Sequence, residues 1–273
     1  MSVPGSALPR TYLFVPGDRP ERFAKALASG ADAVVLDLED AVLPAAKAAA
    51  REAVGQFIAG SADAARLVVR INDEAAPGFA DDLAMLAQRG AAAVMLPKAE
   101  RVATIVRVRE ASPRIVVLPL VETARGVLNA ELLAAAPGVQ RLVFGTIDFA
   151  LDLDLGSDPV ALDHAASRLA LASRAAEIGA PVAGVTTAID DEALLLAELA
   201  RARTHGFGAK LCIHPKQVAP IHAALRPSEA ELAWAQRVLA AAAAAGGGAV
   251  QLDGRMVDKP VVERARRLVA RSK

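Results

Sequence analysis

The chain has little of several things, and each shortage excludes something. It carries one cysteine, Cys212, in 273 residues. A disulfide within the chain is therefore impossible, and a reducing compartment is the expectation. Aromatic residues make up 3%, with one tryptophan, one tyrosine and seven phenylalanines, which leaves no stacking platform for bases. Net charge is missing too, because 31 Lys and Arg balance 31 Asp and Glu. Without a basic excess there is no bulk footprint for nucleic acid, although a local basic groove for a phosphorylated ligand stays open. No apolar run reaches the roughly 18 residues that a membrane-spanning helix needs. The four histidines are scattered, so the His and Cys clusters that zinc favours are absent. The first nine residues show no basic segment followed by an apolar core, and the cytoplasm is the expected location.

What is present is alternation. Apolar runs at 11–15, 33–38, 67–71, 92–96, 115–119, 141–145, 181–185 and 209–213 read as strands buried on both faces. Stretches at 20–29, 45–59, 80–89, 102–111, 126–136, 159–178 and 191–203 read as helices, several of them stopped by Gly or Pro. Eight strand–helix units in strict order predict a parallel (β/α)8 TIM barrel over residues 1–245. A doubly wound open sheet is the rival, but it would leave edges that a closed barrel does not. The alanines from 240 run into Gly246-Gly247-Gly248, a flexible joint. Beyond it, 249–260 reads as irregular and 261–272 as a basic helix. Residues 246–273 are thus expected to form a short C-terminal lid that moves or meets a partner.

In such barrels chemistry sits at the C-terminal ends of the strands. Asp37, Glu39, Asp40, Arg70, Asn72, Lys98, Glu122, Asp148, Thr186 and His214 fall there. Glu122 ends the run Ile115-Val116-Val117-Leu118-Pro119-Leu120-Val121. An acid at the end of a buried strand is costly unless something pairs with it. Asp148 follows the neighbouring strand, so the two carboxylates can converge and suit Mg²⁺, with water and substrate completing its shell. The alternative is that Glu122 caps a helix and Asp148 pairs with a barrel arginine. Arg70 offers a bidentate fork to a substrate carboxylate, or else bridges to Asp37 or Glu39 on the adjacent strand. Lys98 could form a Schiff base, but nothing lowers its pKa and Glu100 stands near, so a surface or ion-paired lysine is expected. Lys47 and Arg51 are placed to neutralise the acidic run Asp37-Leu38-Glu39-Asp40. His214 is expected to bond to backbone, and Gly145-Thr146-Ile147 to present N–H groups to an anion.

These pieces together resemble a known family. Arg10-Thr11-Tyr12-Leu13-Phe14-Val15-Pro16-Gly17, Val35-Leu36-Asp37-Leu38-Glu39-Asp40-Ala41-Val42 with Lys47 and Arg51, and Arg70-Ile71-Asn72 come first. Leu96-Pro97-Lys98-Ala99-Glu100, Leu118-Pro119-Leu120-Val121-Glu122-Thr123, and Phe144-Gly145 with Asp148 follow. Cys212-Ile213-His214-Pro215 with Gln217, and Gly254-Arg255-Met256-Val257-Asp258, complete the order. The sequence is similar to the citrate lyase beta-subunit group, with malyl-CoA and citramalyl-CoA lyases and the wider HpcH/HpaI aldolases as relatives. The resemblance implies that Glu122 and Asp148 bind Mg²⁺ and that Arg70 holds the substrate's carboxylate or keto oxygen. Gly145 and Thr146 are the expected substrate contacts beside Arg70 and Glu122, with Asp37, Glu39 and Asp40 as supporting groups. Asp258 matches the family's acid, delivered from a neighbouring subunit's C-terminal segment in a trimer or hexamer. The implied reaction is reversible carbon–carbon cleavage of a citryl-, malyl- or citramalyl-type thioester, on CoA or an acyl-carrier protein, to an acyl thioester and an oxo acid such as oxaloacetate, pyruvate or glyoxylate. Rival readings are an aldolase acting on a free hydroxy-keto acid, which would not need Asp258, and a non-catalytic subunit of a citrate lyase complex. The chain departs from the relatives at Gly206-Phe207-Gly208-Ala209-Lys210 and at Ile147, and is shorter than the malyl-CoA lyases.

Overall fold

The structure is a computed structural model that describes residues 8–244 and 250–271. The chain divides into two compact units, one ending at Ile221 and one beginning at His222.

The first unit is a closed parallel barrel of eight strands in sequence order. The strands are β1 (Thr11–Pro16), β2 (Ala33–Asp37), β3 (Leu67–Arg70), β4 (Ala93–Leu96), β5 (Val116–Val121), β6 (Val143–Phe144), β7 (Val182–Ala183) and β8 (Ala209–Cys212). Alternate residues fill the interior: Tyr12, Val35, Val68, Met95, Leu118, Leu120, Val143, Val182 and Leu211 form one buried cluster. Their neighbours along each strand face the outer helices, so both faces are apolar, as parallel sheets require. Around the barrel run α1 (Phe23–Leu27), α2 (Lys47–Gly60), α3 (Phe79–Arg89), α4 (Val102–Ala111), α5 (Ala124–Leu128), α6 (Ala130–Ala134), α7 (Thr146–Asp152), α8 (Asp163–Ala175), α9 (Glu192–Thr204) and α10 (Val218–Leu225).

Several elements differ from the sequence reading, the seventh strand among them, which is two residues and not the five of 181–185. The sixth strand is two residues, not the five of 141–145. Arg141 leaves the ladder to close the foot of the barrel, donating from Nε to the Ala180 carbonyl at 2.7 Å and from Nη1 to that of Pro9 at 2.5 Å. After Gly145 the chain turns at once into α7, which was not expected, so Asp148 lies on a helix and not at a strand end. The long helix expected at 159–178 is a 3-10 turn, Pro159–Leu162, followed by α8.

The second unit has its own small core. Helix α11 (Glu229–Ala244) packs on α12 (Lys259–Arg271), with a hairpin of β9 (Val250–Leu252) and β10 (Arg255–Val257) between them in sequence. Ala235, Val238, Val257, Ala265 and Leu268 are its buried residues, and the Arg264 guanidinium lies over the Trp234 ring at 5.2 Å. The stretch read as irregular is thus this hairpin. Asp253 and Gly254 turn it with φ of 51° and 73°, the left-handed pair that a two-residue hairpin loop demands. The expected boundary at 245 and the glycine joint at 246–248 lie outside the described residues, and α11 belongs with the tail. Among the described residues no helix is long and apolar enough to cross a membrane.

Candidate active site

The strand register sets the site. Asp37 ends β2 and is paired in register with Arg70, which ends β3. Arg70 donates to both oxygens of Asp37, from Nε at 2.7 Å and Nη2 at 2.6 Å. Its Nη1 stands 2.9 Å from Glu39 Oε2, a close ion pair without hydrogen-bond alignment, and 3.6 Å from Asp40. The Phe14 ring lies 4.9 Å from the guanidinium carbon. Burial works against the Arg70 charge, but Asp37 first, then Glu39 and Asp40, hold its pKa above the ordinary value. The bridge left open in the sequence is therefore made. It fixes the guanidinium at the barrel mouth with its charge held by carboxylates that a substrate anion would have to rival.

Glu122 follows β5 and is 3% exposed. Its Oε1 accepts the Lys98 backbone N–H at 2.7 Å. Burial chiefly, then repulsion from Glu39 and Asp148, pushes its pKa up to about 8. It does not cap the next helix; Thr123 does, accepting the Gly126 N–H at 3.1 Å. Asp148 sits half-buried in the first turn of α7 and makes no arginine pair among the described residues. The backbone N–H groups of that turn have no partner within the helix, while Gly145 N–H is bound to the Val121 carbonyl at 2.9 Å. Helix α7 is tied down one turn later, where Asp152 Oδ2 accepts the Ala124 N–H at 2.7 Å. Nothing in the sequence marked Asp152. Thr123 was legible, since a threonine before a helix is an ordinary cap.

The acidic pair fits a hard divalent cation. A buried carboxylate raised this far, beside a second one, is a site short of positive charge. Among the described residues no three His, Cys, Asp or Glu side chains gather as a metal cluster. Two carboxylates with water and ligand oxygens form the pattern of Mg²⁺, which keeps several waters, and not of zinc. Gly145 is part of the fit, because a Cβ there would stand 2.6 Å from Glu122 Oε2. Gly145→Ala should displace that carboxylate and weaken Mg²⁺ binding by about tenfold, measured by calorimetry, with unfolding still cooperative.

The pKa of Glu122 also has a thermodynamic consequence. Folding raises it from 4.5 to about 8, so the metal-free folded chain binds the proton more tightly than the unfolded chain. The stability this gives is complete below the unfolded value and is lost as pH rises toward 8. A cation that replaces the proton reverses the loss. Saturating Mg²⁺ should therefore raise the melting temperature more at about pH 8.5 than at about pH 6; an equal rise at both would contradict it.

The other candidates divide. Lys98 is ion-paired, but with Glu39 at 3.1 Å and Asp73 at 3.8 Å and not with Glu100, which accepts from Thr123. Burial opposes the Lys98 charge, yet Glu39 and Asp73 keep its pKa raised, the reverse of what a Schiff base needs. Asp40 is 63% exposed in its side chain, on the rim. Lys47 donates to the Leu38 and Glu39 carbonyls, and Arg51 binds Asp82, so neither neutralises the acidic run directly. Asn72 also donates to Asp82, and Thr186 donates to Glu198, away from the pair. His214 Nδ1 accepts the Lys216 backbone N–H at 3.2 Å, a backbone bond as expected, though the ring is half-buried. Asp258 lies in the second unit, where its carboxylate accepts the Val261 N–H at 3.3 Å and caps α12. A cavity of about 620 Å³ opens outside the barrel wall between α8 and α9, lined by Phe144, Phe207, Lys210 and Arg201. It reaches the β6–α7 turn at Thr146 and Ile147, but neither Glu122 nor Asp148 lines it.

A closed parallel barrel with a buried glutamate, a half-buried aspartate and a braced arginine at its C-terminal mouth has the layout of a metal-assisted enzyme acting on small anionic substrates. The family model for HpcH/HpaI aldolase/citrate lyase matches residues 10–215, and that for carbon–carbon bond lyases of the TIM-barrel fold matches residues 165–273. The chain is 41% identical over 268 residues to a citrate lyase subunit beta-like protein of Mycobacterium tuberculosis, covering 96% of this chain and 94% of that one. It is 34% identical over 271 residues to a (3S)-malyl-CoA thioesterase of Cereibacter sphaeroides, with 96% and 94% covered. The crystal structure of CitE from M. tuberculosis in complex with magnesium, acetoacetate and coenzyme A superimposes with a TM-score of 0.87 at 40% identity, over 97% of this chain and 98% of that one. The chain belongs to the HpcH/HpaI aldolase/citrate lyase family.

Proposed function

We propose that the protein is a Mg²⁺-dependent carbon–carbon lyase that cleaves, or in reverse forms, a 3-hydroxy-carboxy-acyl-CoA of the citryl, malyl or citramalyl type. The observation that carries this is the buried Glu122 at the barrel mouth, its Oε1 fixed by the Lys98 N–H and its pKa raised by burial first, then by Glu39 and Asp148. The magnesium, acetoacetate and coenzyme A held by the M. tuberculosis relative support the same ligand classes here.

Glu122 and Asp148 would hold the cation. When bound, Mg²⁺ supplies a Lewis acid for the oxygens of the hydroxy acid and of the oxo acid formed from it. Arg70, fixed by Asp37 and Glu39, adds positive charge where oxyanion charge grows. Cleavage passes the proton of the 3-hydroxyl to solvent and breaks the bond between C2 and C3. C3 becomes the carbonyl of the oxo acid, and the electron pair stays on C2 as a thioester enolate. Asp258 protonates that carbon, or deprotonates it in the condensing direction. In this reading Asp258 comes from a neighbouring copy of the chain, so the enzyme is a homo-oligomer, a trimer or hexamer, with the C-terminal segment as a lid.

The Cereibacter relative's name brings a second reading, hydrolysis of the thioester. Product analysis separates the two. A lyase releases acetyl-CoA and an oxo acid, whereas a thioesterase releases free CoA and a hydroxy diacid.

A further inference from the structure

Lys98 occupies an unusual backbone position for a lysine. It stands two residues past β4 with φ of 44°, in the left-handed region. A side chain there costs roughly 1 kcal/mol or more. The turn is locked on both sides. Ala99 N–H donates to the Leu120 carbonyl at 3.0 Å, and Gly126 presses so close that a Cβ would lie 2.7 Å from the Ala99 carbonyl oxygen.

This conformation has two results. The backbone N–H meets Glu122 Oε1 at 2.7 Å. With Oε1 tied, the carboxylate is oriented so that Oε2 faces the turn from β6 into α7, beside Gly145. The ammonium stands 3.1 Å from Glu39 Oε1, while the other oxygen of Glu39 stands 2.9 Å from Arg70 Nη1. One residue thus touches both halves of the site, the acidic pair through its backbone and the arginine through Glu39.

We propose that Lys98 is a positioning residue: its left-handed backbone sets the orientation of the Glu122 carboxylate, and its ammonium, through Glu39, sets Arg70. The inference rests on the reading of Glu122 and Asp148 as cation ligands. The two roles separate by substitution. Lys98→Gly removes the ammonium but adopts the left-handed conformation without strain. Lys98→Val also removes the ammonium, and its branched side chain resists that conformation. Lys98→Arg keeps both charge and backbone.

The test titrates the full-length protein with Mn²⁺ alone, read by the paramagnetic resonance of the free ion, and then with pyruvate at saturating Mn²⁺. Lys98→Gly should hold Mn²⁺ within about twofold of wild type, and Lys98→Val should weaken it about tenfold or more. Pyruvate binding should fall about fivefold in Lys98→Gly and recover in Lys98→Arg. A residue that only supports the fold would lower the melting temperature in all variants without this crossed pattern. Equal Mn²⁺ affinity in the glycine and valine variants overturns the inference. Should the valine variant not fold, Lys98→Ala takes its place, with an affinity between those of glycine and wild type overturning the backbone role and one below glycine supporting it. A wild-type chain that takes up no Mn²⁺ removes the ligand reading, and this inference with it.

Discussion

Glu122→Gln abolishes Mg²⁺-dependent binding of an oxo acid. Glutamine keeps the size of the side chain, and its carbonyl oxygen can still accept the Lys98 N–H that now reaches Oε1 at 2.7 Å. What it removes is the charge. The wild-type carboxylate tolerates 3% exposure next to Asp148 and Glu39 only at a pKa of about 8, so an amide there relieves the repulsion. The metal-free variant should therefore be no less stable than wild type near pH 8, and it should melt as cooperatively. Its cation site is left with one carboxylate and one negative charge fewer to hold Mg²⁺. Affinity should fall by about 100-fold or more, on the order of 2.7 kcal/mol. Calorimetry with Mg²⁺ and pyruvate measures it. Magnesium-dependent pyruvate binding of wild-type strength in this variant would remove Glu122 from the site.

Asp258→Asn is the second large effect and has the opposite signature. Asp258 accepts the Val261 N–H at the start of α12, and asparagine can do the same, so the fold of the second unit should persist. Binding of Mg²⁺ and pyruvate should also persist, because Glu122, Asp148 and Arg70 are untouched. Turnover should fall by about 100- to 10,000-fold, the usual contribution of a positioned acid or base. Mixing variants tests whether the site spans two chains. Two inactive proteins, Asp258→Asn and Glu122→Gln, should regain activity when their subunits are exchanged, if each site joins one chain's barrel to another chain's tail. Full activity in Asp258→Asn alone places the acid elsewhere; no recovery on mixing confines the site to one chain.

The barrel itself was legible because its signal is periodic. Eight apolar runs in alternation with helices leave little choice of topology, and the resemblance ran through the same runs. The short sixth strand was not legible, since nothing in Arg141-Leu142-Val143-Phe144-Gly145 says that Arg141 will turn to the carbonyls of Pro9 and Ala180. That choice is made across 132 residues of sequence. The acids of the site were legible as polar residues after buried strands. Their partners were not. Arg70 was read as either a substrate clamp or a bridge, and only the register of β2 on β3 shows that it bridges Asp37. The sequence speaks only for the side chain of Lys98. Its backbone N–H, the group that meets Glu122, depends on a left-handed turn that a lysine does not advertise. The tail hairpin was missed because its strands are three residues each, below the length at which alternation can be read.

The activity expected of the site is a Mg²⁺-dependent cleavage between C2 and C3 of a hydroxy-acyl thioester. It is tested most directly by incubating the metal-stripped protein with citramalyl-CoA, malyl-CoA and a citryl thioester, with and without Mg²⁺, and identifying the products by mass. The expected products are an acetyl thioester and the matching oxo acid from at least one of the three, formed only when Mg²⁺ is present. Cleavage that persists in chelator, or the release of nothing but free CoA and the intact hydroxy acid, would contradict it.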